Sequence, residues 1–148
     1  RALYQEVILD HSRRPRNFGR LDRATHHAEG HNPLCGDTVT VYLRLRDNII
    51  EDVGFEGRGC AISIASASMM TELLKDKRLE EVKAMFERFH HLVTDSQVAR
   101  DCDYDNEDFE KLMVLAGVRE FPMRVKCATL AWHTFLAALA GETTASTE

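Results

Sequence analysis

Four side chains in this sequence are the main candidates to hold a metal ion or to handle sulfur. They are the thiols of three cysteines and the carboxylate of one aspartate: Cys35, Asp37, Cys60 and Cys127. A thiolate binds metal ions and attacks electrophilic sulfur or carbon, and a carboxylate is a further ligand for the same cations. The elements that carry these residues therefore decide whether they share a site.

Cys60 directly follows the turn Gly57-Arg58-Gly59 and precedes a run of small residues. Apolar residues at helical spacing after Cys60 predict a slim helix that other elements approach closely. Cys60 then lies at the helix N-terminus, where unsatisfied N–H groups and the positive end of the helix dipole favour its thiolate. The alternative for an isolated cysteine is a small buried hydrophobe.

Cys35 and Asp37 belong to the turn segment Asn32-Pro33-Leu34-Cys35-Gly36-Asp37. Two residues apart in an extended chain, they share one face and can meet one cation. The alternating residues 38–46 predict a half-buried strand, Asp47-Asn48 a tight turn, and residues 49–55 an antiparallel return strand. Because both open ends of this hairpin lie on the same side, Cys35 and Asp37 are expected close to Cys60.

The remaining two cysteines lie in different surroundings. Cys127 is predicted in the first turns of a long, well-buried helix that starts near Pro122, with Arg124 and Lys126 favouring its thiolate. Spacing alone does not bring Cys127 to the other two cysteines. Cys102 lies in an acidic loop, where neighbouring carboxylates raise the pKa of a thiol, so we rank it last of the four as a nucleophile.

Other segments complete the expected organisation. Amphipathic patterns predict helices over 1–11, 79–93 and 105–117, with His90 and His91 on a solvated end. The histidines at 26, 27 and 31 have the chemistry of metal ligands, but polar surface is the simpler interpretation. We expect one domain over residues 1–141 and a disordered tail over 142–148.

Composition narrows the class of protein. The chain has 148 residues and a net charge of -5, which argues against broad nucleic-acid binding. Neither a membrane-spanning stretch nor a secretory leader is recognisable, so we expect no membrane association and a cytoplasmic location. In that compartment, cysteines serve as ligands or reactive thiols more often than as disulfides.

Three segments together resemble the signatures of the U-type iron-sulfur cluster assembly family, which includes SufU, IscU and the N-terminal part of NifU. They are 32–37, 57–63 with the Ala-Ser-Met that follows, and 124–132, and the similarity extends from the first helix to about residue 139. Lys126 stands where IscU proteins carry histidine, and Phe121-Pro122-Met123 replaces their chaperone-recognition motif. The chain therefore resembles the SufU branch more closely.

The resemblance implies an α+β fold with a small antiparallel sheet of about three strands packed against several helices. It also implies a tetrahedral zinc site formed by Cys35, Asp37, Cys60 and Cys127, with Cys35 accepting sulfur. The implied function is that of a sulfurtransferase-type carrier rather than a conventional enzyme. It would take persulfide sulfur from a SufS-like cysteine desulfurase and pass it to a downstream iron-sulfur assembly complex.

Other functions use the same residues. In the main alternative, Cys35, Cys60 and Cys127 bind a nascent iron-sulfur cluster, and the protein is a scaffold that assembles and transfers it. A purely structural zinc domain would leave Cys35 inert. A cysteine hydrolase is a weaker alternative, because the sequence places no histidine as base beside a thiol nucleophile.

Overall fold

A computed structural model describes residues 2–32, 36–94, 122–142 and 144–146. Its four helices are α1 (Ala2–Arg13), α2 (Ala61–Leu74), α3 (Leu79–Thr94) and α4 (Pro122–Leu139). Its four strands are β1 (His26–Asn32), β2 (Asp37–Arg46), β3 (Ile49–Arg58) and β4 (Thr144–Ser146). The predicted helix over 105–117, and Cys102 before it, lie outside the described residues.

The sheet has the order β3-β2-β1-β4, and its three long strands are antiparallel. The predicted β2–β3 hairpin is confirmed, and both turn residues, Asp47 and Asn48, have positive φ angles of 53° and 63°. Such angles match the turn to the twist of the two strands. The hairpin pairs Thr38 with Arg58 at its open end, so the start of β2 lies beside the end of β3.

Strand β1 is the one long strand that the residue pattern did not locate. It pairs along its whole length with β2, with Ala28, Gly30 and Asn32 buried and Glu29 exposed between them. Gly30 allows α4 to lie close to the strand, because a Cβ at Gly30 would overlap Thr134 Oγ1. The contact fixes α4 across β1, and so helps to fix Cys127.

A Gly30→Ala substitution should therefore lower the free energy of unfolding by about 1–3 kcal/mol, the usual cost of overpacking. Thermal and urea unfolding measure this loss. The control is Gly30→Ala combined with Thr134→Ala, which removes the hydroxyl that the new methyl group meets and should recover part of the loss. Unchanged stability of the single variant would show that β1 and α4 are less closely packed than described.

Three residues of the C-terminal segment, for which the sequence predicted disorder, are described as a strand. Thr144–Ser146 form the short strand β4, which runs parallel to β1 and pairs Glu29 with Thr144. Helix α4 ends where Gly141 adopts a φ of 83°, and the chain then reverses along the edge of β1. Backbone pairing with an open strand edge orders residues whose small polar side chains gave no sign of a strand.

Helix α2 lies at the centre of the helical layer and is buried on nearly all sides, as its small residues predict. Ser66 Oγ donates to the Ala128 carbonyl, and the Trp132 indole N–H donates to Ser66 Oγ at 3.2 Å. The Trp132 ring stacks on Phe89 of α3 with ring centroids 4.3 Å apart. These contacts hold α2, α3 and α4 against one another.

Helix α1 and the turn after it pack on the far part of α2. His11, only 7% exposed, shares a 2.7 Å hydrogen bond with Ser68 Oγ, which also accepts from the Arg16 backbone N–H at 2.8 Å. Asn17 Nδ2 donates to Thr71 Oγ1 at 3.0 Å. These bonds secure the later turns of α2 and leave its N-terminus facing the open end of the hairpin.

The architecture confirms the expected fold class, a small antiparallel sheet packed against helices. Its core comprises the inward residues of the sheet and the facing sides of the helices, with Phe55, Leu43, Phe89, Trp132 and Phe135 among its largest buried side chains. Among the described residues, none of the helices is both long and apolar enough to cross a bilayer.

Candidate metal centre

Cys60 is the N-cap of α2, as the sequence predicts. Its backbone is extended, with φ -70° and ψ 165°, and its Sγ accepts a hydrogen bond from the Ser63 N–H at 3.4 Å. A sulfur therefore takes the position that a serine or aspartate oxygen usually occupies at a helix start. Cys60 is exposed, but its side chain is fixed in orientation. Its sulfur accepts a hydrogen bond from one of the first-turn N–H groups that have no partner within the helix.

Asp37 begins β2 and lies directly against Cys60. The residue is 2% exposed, its Oδ1 accepts from the Cys60 backbone N–H at 3.0 Å, and its Oδ2 lies 3.8 Å from Cys60 Sγ. Gly59 makes this approach possible, since a Cβ there would lie 2.5 Å from Asp37 Oδ1. The hairpin thus brings Asp37 and Cys60 together, as expected from its two open ends.

Cys127 reaches the same place from α4. It lies in the second turn of that helix, its residue is 4% exposed, and Asn32 Nδ2 donates to its Sγ at 3.9 Å. The packing of α4 across β1 and against α2 brings it there. Sequence spacing contained no signal for this convergence, which the family resemblance alone implied.

The ligand atoms of Asp37, Cys60 and Cys127 all lie within 4.8 Å of one another. Ligand atoms around a tetrahedral zinc ion, at bond lengths of about 2.0–2.3 Å, are separated by roughly 3.3–3.8 Å. Small side-chain movements would therefore bring this group to coordination distance. Two soft sulfur atoms and one hard oxygen atom form a donor set that fits zinc, a borderline-soft ion.

Cys35, the fourth residue in the predicted set, lies outside the described residues. The backbone on either side of it is described: the Gly36 N–H donates to the Asn32 carbonyl at 2.8 Å, and Gly36 has a φ of 73°. Residues 33–35 therefore connect two chain positions that lie close together at the end of the sheet. Asp37 follows Gly36 directly, so the ends of this turn adjoin the group of three ligand atoms.

Asn32 and Ser63 contact the sulfur atoms, although the sequence pattern predicted a role for neither residue. The sequence offered one hint of a role for Asn32, its position in the segment Asn32-Pro33-Leu34-Cys35-Gly36-Asp37. The structure places this polar residue at a buried position of β1. Ser63 contributes its backbone N–H, which any residue other than proline supplies, so its identity gave no signal.

The histidines of β1 take no part in the described metal centre. His27 is exposed on the strand, its ring stacked over Tyr42, and His31 Nε2 lies 3.0 Å from Glu29 Oε1. At the other side of the molecule, His133 of α4 lies 6.4 Å from His90 between ring centroids. Burial, and then the proximity of His90, lower the pKa of His133.

Comparison with known proteins now identifies the class. The model of the NifU-like N terminal domain family matches residues 3–128, and the chain belongs to this family. The match includes Asp37, Cys60 and Cys127, together with Cys35 between the described segments.

Two curated relatives cover most of the chain. It is 41% identical over 142 residues to the zinc-dependent sulfurtransferase SufU of Bacillus subtilis, covering 95% of this chain and 92% of that protein. It is 37% identical over 139 residues to the iron-sulfur cluster assembly scaffold protein IscU of Thermotoga maritima, covering 94% of each. The family resemblance predicted from the three sequence segments is therefore confirmed.

A solved structure supports the same relationship. An iron-sulfur cluster assembly scaffold protein for the SUF system from Fervidobacterium islandicum AW-1 superposes with a TM-score of 0.80 at 34% identity. The superposition covers 93% of this chain and 97% of that one. The sheet and helices described above are thus the fold of this group of proteins.

Proposed function

We propose that this protein accepts sulfur from a cysteine desulfurase and carries it to iron-sulfur cluster assembly, using a zinc site formed by Cys35, Asp37, Cys60 and Cys127. The observation that carries the proposal is the convergence of the last three within 4.8 Å, at the ends of three separate elements. Similarity to a zinc-dependent sulfurtransferase supports zinc as the ion.

The described residues are suited to hold such an ion firmly. Asp37 and Cys127 are almost fully buried, so their charged forms need a cation nearby to offset the loss of water. Bound zinc would keep the coordinating thiols deprotonated near neutral pH. Cys60 stays oriented by the α2 N-terminus, and Cys127 by the packing of α4.

Cys35 is the best candidate for the thiol that accepts sulfur. Cys60 Sγ accepts the Ser63 N–H and is held at the N-terminus of α2, and Cys127 is buried within α4 with Asn32 beside its sulfur. Cys35 belongs instead to a turn bounded by Pro33 and Gly36. Moving a thiol on a turn, as the sequence predicts for Cys35, disturbs less core packing than moving one at α2 or α4.

The transfer itself is a thiol exchange. The Cys35 thiolate attacks the outer sulfur of a persulfide on the desulfurase, forming a new S–S bond at Cys35. The S–S bond of the donor persulfide breaks at the same time, and the desulfurase cysteine leaves as a thiolate. Electrons balance without an external oxidant, and this protein then carries the sulfane sulfur as a Cys35 persulfide.

A scaffold that assembles an iron-sulfur cluster on Cys35, Cys60 and Cys127 is the second candidate. Similarity to IscU scaffold proteins favours it, and cysteine thiolates are the usual cluster ligands. Lys126 precedes Cys127 in place of the histidine expected in IscU proteins, which supports the carrier. A cysteine desulfurase and a downstream assembly complex, in the cytoplasm, are the proposed partners and location for either function.

Metal analysis separates the two candidates. The carrier predicts a colourless protein with one zinc per chain that resists replacement by iron and sulfide under anaerobic reconstitution. The scaffold predicts a brown chromophore and loss of zinc under the same conditions. Stable cluster binding with release of zinc would overturn the carrier as the main function.

Asp37→Asn should weaken zinc binding by roughly tenfold or more, because it replaces a charged ligand by a neutral amide. The fold should survive, since the Asn oxygen can still accept the Cys60 N–H. Competition with a chromophoric chelator measures the affinity. Asp52→Asn is the matched control, because Asp52 of β3 pairs with Arg44 of β2 and with Lys75 after α2, and its replacement should leave zinc binding unchanged.

An Asp37→Asn protein with the zinc affinity of the wild type would contradict the assignment of Asp37 as a ligand. Equal weakening by Asp52→Asn would show that the effect comes from net charge rather than from coordination.

A further inference from the structure

Asn32 occupies a junction between the elements of the metal centre. It is the last residue of β1, its side chain is fully buried, and its register partner across the sheet is Asp37. A buried amide with both donor and acceptor groups is costly unless these groups are satisfied. The hydrogen-bond partners of Asn32 therefore indicate what this residue does at the metal centre.

Two contacts of Asn32 connect separate parts of the centre. Its side-chain Nδ2 donates to Cys127 Sγ at 3.9 Å, and its backbone carbonyl accepts from the Gly36 N–H at 2.8 Å. The first contact reaches α4, and the second joins the end of β1 to Gly36, the residue before Asp37. The same residue thus touches the sulfur of one ligand and is bonded to the chain directly beside another.

The chemistry of the amide suits this place. An N–H donor directed at a sulfur atom interacts more strongly with a thiolate than with a neutral thiol, because hydrogen bonds to charged acceptors are stronger. Outer contacts of this kind orient metal ligands, and their loss typically weakens metal binding 10- to 100-fold. An apolar side chain of similar size would fill the space without this preference.

We propose that Asn32 is a positioning residue of the metal centre, holding Cys127 Sγ toward Asp37 and Cys60. This inference rests on the proposed zinc site but concerns a residue outside the ligand set. A residue that merely completes the buried end of β1 would affect stability and leave the affinity for metal unchanged.

The test compares Asn32→Leu, which keeps the approximate size without a donor, with Asn32→Ala. Thr71→Val is the matched control, because Thr71 is also fully buried and hydrogen-bonded, but to Ser68 and the turn after α1. Zinc affinity is measured by chelator competition, and the cobalt-substituted proteins give the sulfur-to-metal absorption bands. Circular dichroism reports whether each variant is folded.

Both Asn32 variants should fold, bind zinc roughly 10- to 100-fold more weakly, and shift the cobalt-sulfur bands, whereas Thr71→Val should lose stability alone. Wild-type affinity and bands in a folded Asn32 variant would overturn the inference. So would unfolding of both Asn32 variants with zinc present while Thr71→Val folds, because the role would then be structural. Failure of the wild-type protein to bind zinc would instead refute the proposed function.

Discussion

Cys35→Ser should abolish sulfur acceptance from a cysteine desulfurase while leaving the protein folded. A serine hydroxyl does not attack a persulfide at neutral pH, and Cys60 and Cys127 are held in packed helices, where neither can replace it. Intact-mass spectrometry after incubation with desulfurase and cysteine measures the effect, since acceptance adds the mass of a sulfur atom. The Cys35→Ser protein should gain no more mass than the same protein in a reaction from which the desulfurase is omitted.

Cys102→Ser is the matched control for this experiment. The acidic segment around Cys102 disfavours its thiolate, so its replacement should leave both sulfur acceptance and zinc content unchanged. Loss of zinc or of acceptance in Cys102→Ser would show that the cysteines were ranked wrongly. Full acceptance by Cys35→Ser would refute the role of Cys35.

Removal of zinc should lower the melting temperature by roughly 10 °C. A ligand present at a thousandfold excess over its dissociation constant stabilises the folded state by about 4 kcal/mol. In a protein of this size, each kcal/mol shifts the melting temperature by a few degrees. Chelation also leaves the buried Asp37 carboxylate and Cys127 thiol close together without a cation.

Calorimetry before and after chelation, followed by separate addition of zinc and magnesium, checks this prediction. Zinc should restore the melting temperature and magnesium should not, because magnesium prefers oxygen ligands. Hydrogen exchange should localise the loosening to the ends of β2, α2 and α4. A melting temperature that chelation leaves unchanged would contradict a zinc site that joins these three elements.

Local sequence features explain why the meeting of Asp37 and Cys60, two of the four proposed ligands, could be predicted. Asp47 and Asn48 identified the hairpin turn, and the glycines around Arg58 marked the start of α2, so the meeting of Asp37 and Cys60 followed from topology. Turns and helix starts depend on residues near in sequence. The structure places the hairpin turn and the start of α2 where the sequence predicted them, but β3 continues through Gly57 and Arg58, which were predicted as part of a turn.

The remaining features depend on contacts between distant parts of the chain. Strand β1 is rich in histidine and polar residues, and its inward positions hold Ala28 and Gly30, whose small size suits the approach of α4 rather than a usual strand pattern. Cys127 reaches the centre by that same packing, which leaves no local signal. Strand β4 depends on an edge of β1 that was itself not predicted.

The most direct measurement of the central claim is the position of the transferred sulfur in the wild-type protein. The zinc-loaded protein is incubated with desulfurase and cysteine, its persulfides are trapped by alkylation, and its peptides are mapped by mass spectrometry. The added sulfur should lie on Cys35 and be absent from Cys60, Cys102 and Cys127. Sulfur found mainly on Cys60 or Cys127 would contradict an acceptor that moves on the turn between Asn32 and Gly36.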